Sequence, residues 1–219
     1  IALAHIEAYD TSVFGWGRST RIGLGELKEY FDSRGVSGRP VGVPVNHGPG
    51  LGAGNGVAMK IAPLGIWGHL KPVFYMYAQD NWILSLGQLT HSEPDAIASA
   101  SLITSWIKSA LNNSEFSSNF TTNAFLSNCV NGVCSKLLHL WAYLDSKPQS
   151  VLIEKCVKMR DENFLFGPIE NIREEFGNGC LAVESVPFAV AIALRNKDVF
   201  RAGILEAVNS GGDADTIGA

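Results

Sequence analysis

Ser92-Glu93-Pro94-Asp95-Ala96-Ile97-Ala98-Ser99-Ala100-Ser101-Leu102-Ile103-Thr104-Ser105-Trp106-Ile107-Lys108-Ser109-Ala110 is the stretch that decides the fold. Ala96, Ala100, Ile103, Ile107 and Ala110 recur at the spacing that lines one face of an α-helix. Pro94 suits a first helical turn, where its missing N–H costs nothing. Ser92 is a capping residue type, and Asp95 follows it by three like the acidic member of a capping box. The spacing therefore predicts an amphipathic helix with Pro94 in its first turn and Ser92 as its cap.

The same period extends outward in both directions. Tyr75, Ala78, Trp82, Leu86 and Leu89 form a stripe before it; Leu137, Trp141 and Leu144 form one after it. Leu152, Cys156 and Met159 mark a further helix, and Phe200, Ile204, Ala207 and Val208 another, with Asn196 or Asp198 as its expected cap. Gly23 and Gly35 bracket a short helix from Leu24 to Arg34. Val41 to Val45 alternates with a period of two, but Pro40, Gly42 and Pro44 make it a loop. Asn112 to Asn123 is polar and reads as a surface loop between helices. The expectation is an all-α fold, a single domain over 1–219, with no internal repeat.

Composition narrows the function classes. The chain has 219 residues, 46% hydrophobic and 17% charged, which is enough apolar material for a core and excludes a disordered chain. Net charge is −4 with no long basic run, so no specific nucleic-acid partner is inferred. No apolar stretch is long enough to span a membrane. The first residue is Ile1, with neither a basic lead nor a cleavage site, so no signal peptide is read and a cytoplasmic location is expected. Both ends read as cut from a longer protein. Cys129, Cys134, Cys156 and Cys180 match no zinc spacing and are expected to be buried free thiols in a reducing compartment. Oligomeric state is not legible.

Two loops do not look like packing. Gly48-Pro49-Gly50-Leu51-Gly52-Ala53-Gly54-Asn55-Gly56 has five glycines in nine residues, and its N–H groups suit an anion such as a phosphate. It lacks both the dinucleotide fingerprint and a Walker lysine; the alternative is a flexible loop. Gly211-Gly212-Asp213-Ala214-Asp215-Thr216 places two carboxylates and a hydroxyl close together, an oxygen-only set that suits Mg²⁺, Mn²⁺ or Ca²⁺. The alternative is an ordinary helix N-terminus capped by Asp or Thr. His91 is a candidate ligand contact or a structural histidine, and Glu184 a helix cap or a cleft residue.

Together these segments form a pattern. Gly54-Asn55-Gly56-Val57-Ala58-Met59-Lys60-Ile61-Ala62-Pro63-Leu64-Gly65 resembles the "G-N-G-x-x-M-R-x-x-P-L-G" segment of the ADP-ribosylglycohydrolase family. Thr90-His91 resembles its T-H element, Glu184-Ser185-Val186-Pro187 its "E-S-V-P" helix start, and Asn209-Ser210-Gly211-Gly212-Asp213-Ala214-Asp215-Thr216-Ile217-Gly218 its signature. Gly15-Trp16-Gly17 with Thr20-Arg21 is similar to the family's middle region.

The resemblance implies a compact orthogonal multi-helix bundle and hydrolysis of a glycosidic bond to ADP-ribose, on an ADP-ribosylated protein or related substrate. It implies Mg²⁺ or Mn²⁺, two ions in the complete protein. Carried over, Asp213 and Asp215 are catalytic and, with Thr216, metal ligands. Gly54, Asn55, Gly56, Met59, His91, Gly211 and Gly212 lie along the ADP-ribose. Lys60 stands where the family often has Arg. The family's N-terminal G-D-A-x-G and T-[DE]-D-T elements have no counterpart here, so half of the metal site is expected on this chain. The alternative is a non-catalytic relative, either a binder of ADP-ribose or a structural protein like the lens crystallins of this family.

Overall fold

A computed structural model describes residues 2–11, 16–34, 52–70, 82–112, 126–127, 130–131, 133 and 150–219. The expected helix at Leu137–Leu144, the loops at 41–45 and 113–123, Gly48 to Leu51, Cys129 and Cys134 lie outside them, as do Tyr75 and Ala78. The fold is all-α. Among the described residues the regular elements are helices, and the one bridge of β type joins Gly54 to Leu181. In chain order the helices are α1 (Ala2–Thr11), α2 (Arg18–Arg34), α3 (Gly56–Lys60), α4 (Ala62–Leu70), α5 (Pro94–Asn112) and α6 (Val151–Lys158). They continue with α7 (Glu162–Leu165), α8 (Ile169–Phe176), α9 (Ala182–Arg195), α10 (Phe200–Asn209) and α11 (Ala214–Gly218). Residues 82–88 are also helical.

Helix α5 stands between two apolar clusters. Ala100 joins Val57, Ile61, Leu64 and Ile83 on one side. Ala98 and Leu102 join the larger cluster, built from Leu152 and Cys156 of α6, Ile172 and Phe176 of α8, and Phe188, Ala191 and Leu194 of α9. Because both faces are covered, small residues fill the helix. Ser99 and Thr104 are buried, and their hydroxyls donate to the carbonyls of Ala96 (2.7 Å) and Ala100 (3.1 Å). The expected stripe is buried at Ala96 and Ala100 and reaches solvent at Ala110.

Three expectations about helix ends are corrected. Helix α5 does start at Pro94, but Ser92 lies two residues before it, outside the cap position. Asp95 serves a neighbour instead. Its carboxylate accepts from Ser150 Oγ at 2.7 Å and from the N–H groups of Val151 and Leu152. Those N–H groups open α6, which is the end of a helix that lacks internal partners. Burial pushes the Asp95 carboxyl above its ordinary range, and these bonds oppose the shift.

Asn196 closes α9 and does not open α10. Its amide donates to Ile192 O at 3.0 Å and to Glu206 Oε2 at 2.6 Å, while α10 begins after Val199 with no side-chain cap. The stripe expected on α10 is buried only at Ala207, and Phe200 is 83% exposed. Helix α2 starts at Arg18, earlier than Leu24, and buries Leu24 and Leu27.

Pro187 lies inside α9, where it has no N–H to offer the carbonyl of Val183. Lys155 of α6 supplies the missing donor. Its Nζ reaches Val183 O at 2.7 Å and Phe176 O at 2.5 Å, so one side chain ties α6, α8 and α9 together. Burial lowers the Lys155 pKa from its ordinary value.

Candidate functional site

Asn55 occupies the N-cap position of α3, yet its side chain makes no capping bond. The amide reaches across the molecule instead. Nδ2 donates to Ser185 Oγ at 3.0 Å and to Asp213 Oδ2 at 2.5 Å. The backbone holds it there: Asn55 N donates to Cys180 O at 3.1 Å, and Ala182 N donates to Ala53 O at 2.9 Å. Residues 53–55 thus lie beside 180–182, and the glycine segment, the start of α9 and the Gly211-Gly212-Asp213 corner meet at one buried amide.

The corner is built by conformation. After α10, Gly211 and Gly212 adopt φ values of +70° and +65°, which L side chains rarely take. Asp213 N then donates to Asn178 O at 2.8 Å, and Asn178 Nδ2 donates to Ser210 O at 2.9 Å. A Cβ on Gly212 would lie 2.1 Å from Asn178 O, so the turn closes only around glycine.

Asp213 sits in the N-cap position of α11 without capping it. The capping alternative therefore does not account for this carboxylate, which faces Asn55. Asp215 is exposed and accepts from its neighbour Thr216 N at 2.9 Å. Thr216 Oγ1 lies 3.7 Å from the sulfur of Met59, which is 56% exposed. Cys180, expected to be buried, is exposed at this point, whereas Cys156 is buried as expected. The negative charge of Asp213 pushes the Cys180 thiol up; burial, a hydrogen bond to Asp213 and the charges of Asp215 and Glu184 add to the shift.

Asp213, Asp215 and Thr216 offer only oxygen donors, which fit a hard divalent cation by type. They are too few to close a shell of six, and among the described residues no three His, Cys, Asp or Glu side chains gather as a metal-holding group. Glu184 stands in the first turn of α9 and faces backward: its Oε2 accepts from Gly179 N at 3.1 Å.

His91 lies behind the glycine segment, only 2% exposed. A Cβ on Gly56 would stand 3.2 Å from its Cε1, and one on Gly54 would stand 3.9 Å from its Nε2. At the neighbouring ring atom, Nδ1 lies 2.8 Å from Thr90 Oγ1, which accepts from Lys60 Nζ at 2.7 Å. Burial lowers the Lys60 pKa to about 8.

Gly54, Asn55, Gly56, Met59, His91, Gly211, Gly212, Asp213, Asp215 and Thr216 thus belong to one connected region. Sequence reasoning did not single out Ser185, Asn178 or Thr90 as partners within it. Ser185 sits inside a recognisable motif; Asn178 carries no local signal, since its role is to fill the turn at Gly212.

A family model for the ADP-ribosylglycohydrolases matches residues 2–219. The chain belongs to the ADP-ribosylglycohydrolase family, a glycohydrolase class, and its all-α fold agrees with that membership. No curated protein matches the chain. Among the described residues no helix is long and apolar enough to cross a membrane.

Proposed function

We propose that this chain supplies part of the site of a metal-assisted hydrolase that cleaves the glycosidic bond between ADP-ribose and an acceptor, such as a protein side chain. The observation that carries the reading is the Asp213 carboxylate, held by Asn55 Nδ2 at 2.5 Å instead of capping the helix it begins. A carboxylate oriented by a buried amide is a preorganised ligand or base. Asp213, Asp215 and Thr216 would hold Mg²⁺ or Mn²⁺. When bound, such ions anchor ribose hydroxyls and lower the pKa of a coordinated water toward neutrality. The chain's own part is orientation. Asn55 fixes Asp213, the diphosphate would run along the Gly54–Gly56 segment, and His91 stands beside that backbone. ADP-ribose or an ADP-ribosylated protein is the proposed partner.

The test is release of free ADP-ribose from an ADP-ribosylated protein by the full-length protein in Mn²⁺ or Mg²⁺. Asp213→Ala and Asp215→Ala should each lower the rate by about 100-fold or more. Unchanged rates in both variants would remove the assignment. A second reading is a relative that binds ADP-ribose without cleaving it; among the described residues no three His, Cys, Asp or Glu side chains gather at the site. ADP-ribose binding with no turnover by the full-length protein would select it.

A further inference from the structure

Lys60, Thr90 and His91 form a chain of polar contacts. Lys60 is the last residue of α3, and Thr90 and His91 precede α5. Thr90 is fully buried and His91 nearly so. The Lys60 ammonium donates to Thr90 Oγ1 at 2.7 Å, and the same oxygen lies 2.8 Å from His91 Nδ1. The adjoining Cε1–Nε2 edge of the ring meets the glycine segment, at 3.2 Å (Cε1) and 3.4 Å (Nε2) from where a Cβ on Gly56 would be. Charge on a half-buried lysine is costly, and desolvation lowers its pKa to about 8. A surface lysine would serve for solubility; this one is spent on a threonine whose other neighbour is the ring.

We propose that Lys60, acting through Thr90, is a positioning residue that fixes the His91 imidazole against the Gly54–Gly56 backbone for ADP-ribose binding. The inference rests on the reading that ADP-ribose lies along that backbone. An ammonium has no lone pair, so Lys60 can only donate to Thr90. The threonine oxygen is thereby pinned in place, and with it the side of the ring that bears Nδ1. A ring held at one edge presents its other edge in one orientation, which lowers the entropy lost on binding.

The experiment uses the full-length protein, three test variants and a fourth for signal assignment. Thr90→Val keeps the shape and removes the hydroxyl; Thr90→Ser restores it; Lys60→Met removes the donor. Nitrogen-15 signals of the His91 ring, assigned with His91→Gln, report the ring's state, and calorimetry reports ADP-ribose affinity. Thr90→Val and Lys60→Met should change the His91 nitrogen signals and weaken ADP-ribose binding about tenfold, the scale of one lost hydrogen bond. Thr90→Ser should retain both. Wild-type affinity in Thr90→Val and Lys60→Met, or a loss in Thr90→Ser as large as in Thr90→Val, would overturn the proposal. Absence of any ADP-ribose binding by the wild-type protein would instead sink the functional reading. In that case unaltered His91 signals in both Thr90→Val and Lys60→Met would still separately disprove the link between Lys60 and the ring.

Discussion

The Gly211–Gly212 corner and the Gly54–Gly56 segment meet at the same site, and they call for glycine for different reasons. At the corner the need is conformational: both residues have φ in the left-handed region. In the segment neither glycine has positive φ, and the need lies at Gly56, where a Cβ would crowd the His91 ring at 3.2 Å, while one on Gly54 would make ordinary contact. A site can thus be assembled from one rigid turn that aims a carboxylate and one close approach that admits a side chain. The two respond differently to the same substitution.

The largest effect is expected at Gly212. Gly212→Ala would add backbone strain at φ +65° and place Cβ 2.1 Å from the backbone oxygen of Asn178, which cannot rotate away. A loss of ~3–5 kcal/mol in denaturant unfolding is expected. Gly211→Ala meets nothing within 4 Å and carries only the φ penalty, so it should cost about 1 kcal/mol. Equal losses for the two alanines would show that conformation alone, and not the Asn178 contact, shapes the corner.

On the segment's side the large effect is one of pH. The Lys60 pKa is about 8 in the folded chain against an ordinary 10.5. Below about pH 8 both folded and unfolded states hold the proton, and the burial penalty is fully present. Between about 8 and 10.5 the unfolded state binds more protons, so stability rises with pH by roughly 3 kcal/mol from this group. Other groups titrate there too, so the measurement is the difference between wild type and Lys60→Met across that window. A difference that stays flat would place Lys60 in a wetter setting than its bond to Thr90 implies.

Asn55 joins the two regions, and breaking it should cost less. Asn55→Ala removes a buried amide that bonds Ser185 and Asp213. About 2 kcal/mol of stability should be lost, the scale of buried partners left unsatisfied. Full retention of stability would mean that the backbone bonds at residues 53–55 and 180–182 hold the regions together without it.

How much of this was legible follows from whether its cause is local. The period of Ala96, Ala100 and Ile103 gave α5 its type, and Pro94 marked its first turn, because both act within a turn or two. The role of Asp95 was not legible, since the N–H groups it serves belong to Val151 and Leu152. Asn196 was read as the start of one helix although it ends another; a capping residue type does not say which side of it is helical. Pro187 signals a missing donor at Val183, but nothing near it in the chain names Lys155 as the replacement. In the site, the motifs marked Asn55 and Asp213 as important, and only folding shows that they touch. The glycines were visible by composition. Whether each serves a positive φ or a close approach depends on Asn178 and His91, which are distant in sequence.

The smallest effect on stability, and the sharpest use of the comparison, lies at Gly56. Gly56→Ala would bring a methyl to 3.2 Å from His91 Cε1 and 3.4 Å from Nε2, tighter than ordinary contact but not an overlap. No strained φ is involved. The ring must give by a few tenths of an ångström, and Thr90 resists that movement at the neighbouring Nδ1. Stability should therefore fall by less than about 1 kcal/mol, well under the loss for Gly212→Ala. Ligand binding should suffer more than folding does, because the displaced ring is the one proposed to be positioned for ADP-ribose. Thermal unfolding and ADP-ribose calorimetry on the same preparation separate the two quantities. A Gly56→Ala protein as unstable as Gly212→Ala would erase the distinction between a glycine kept for its backbone angle and one kept for space.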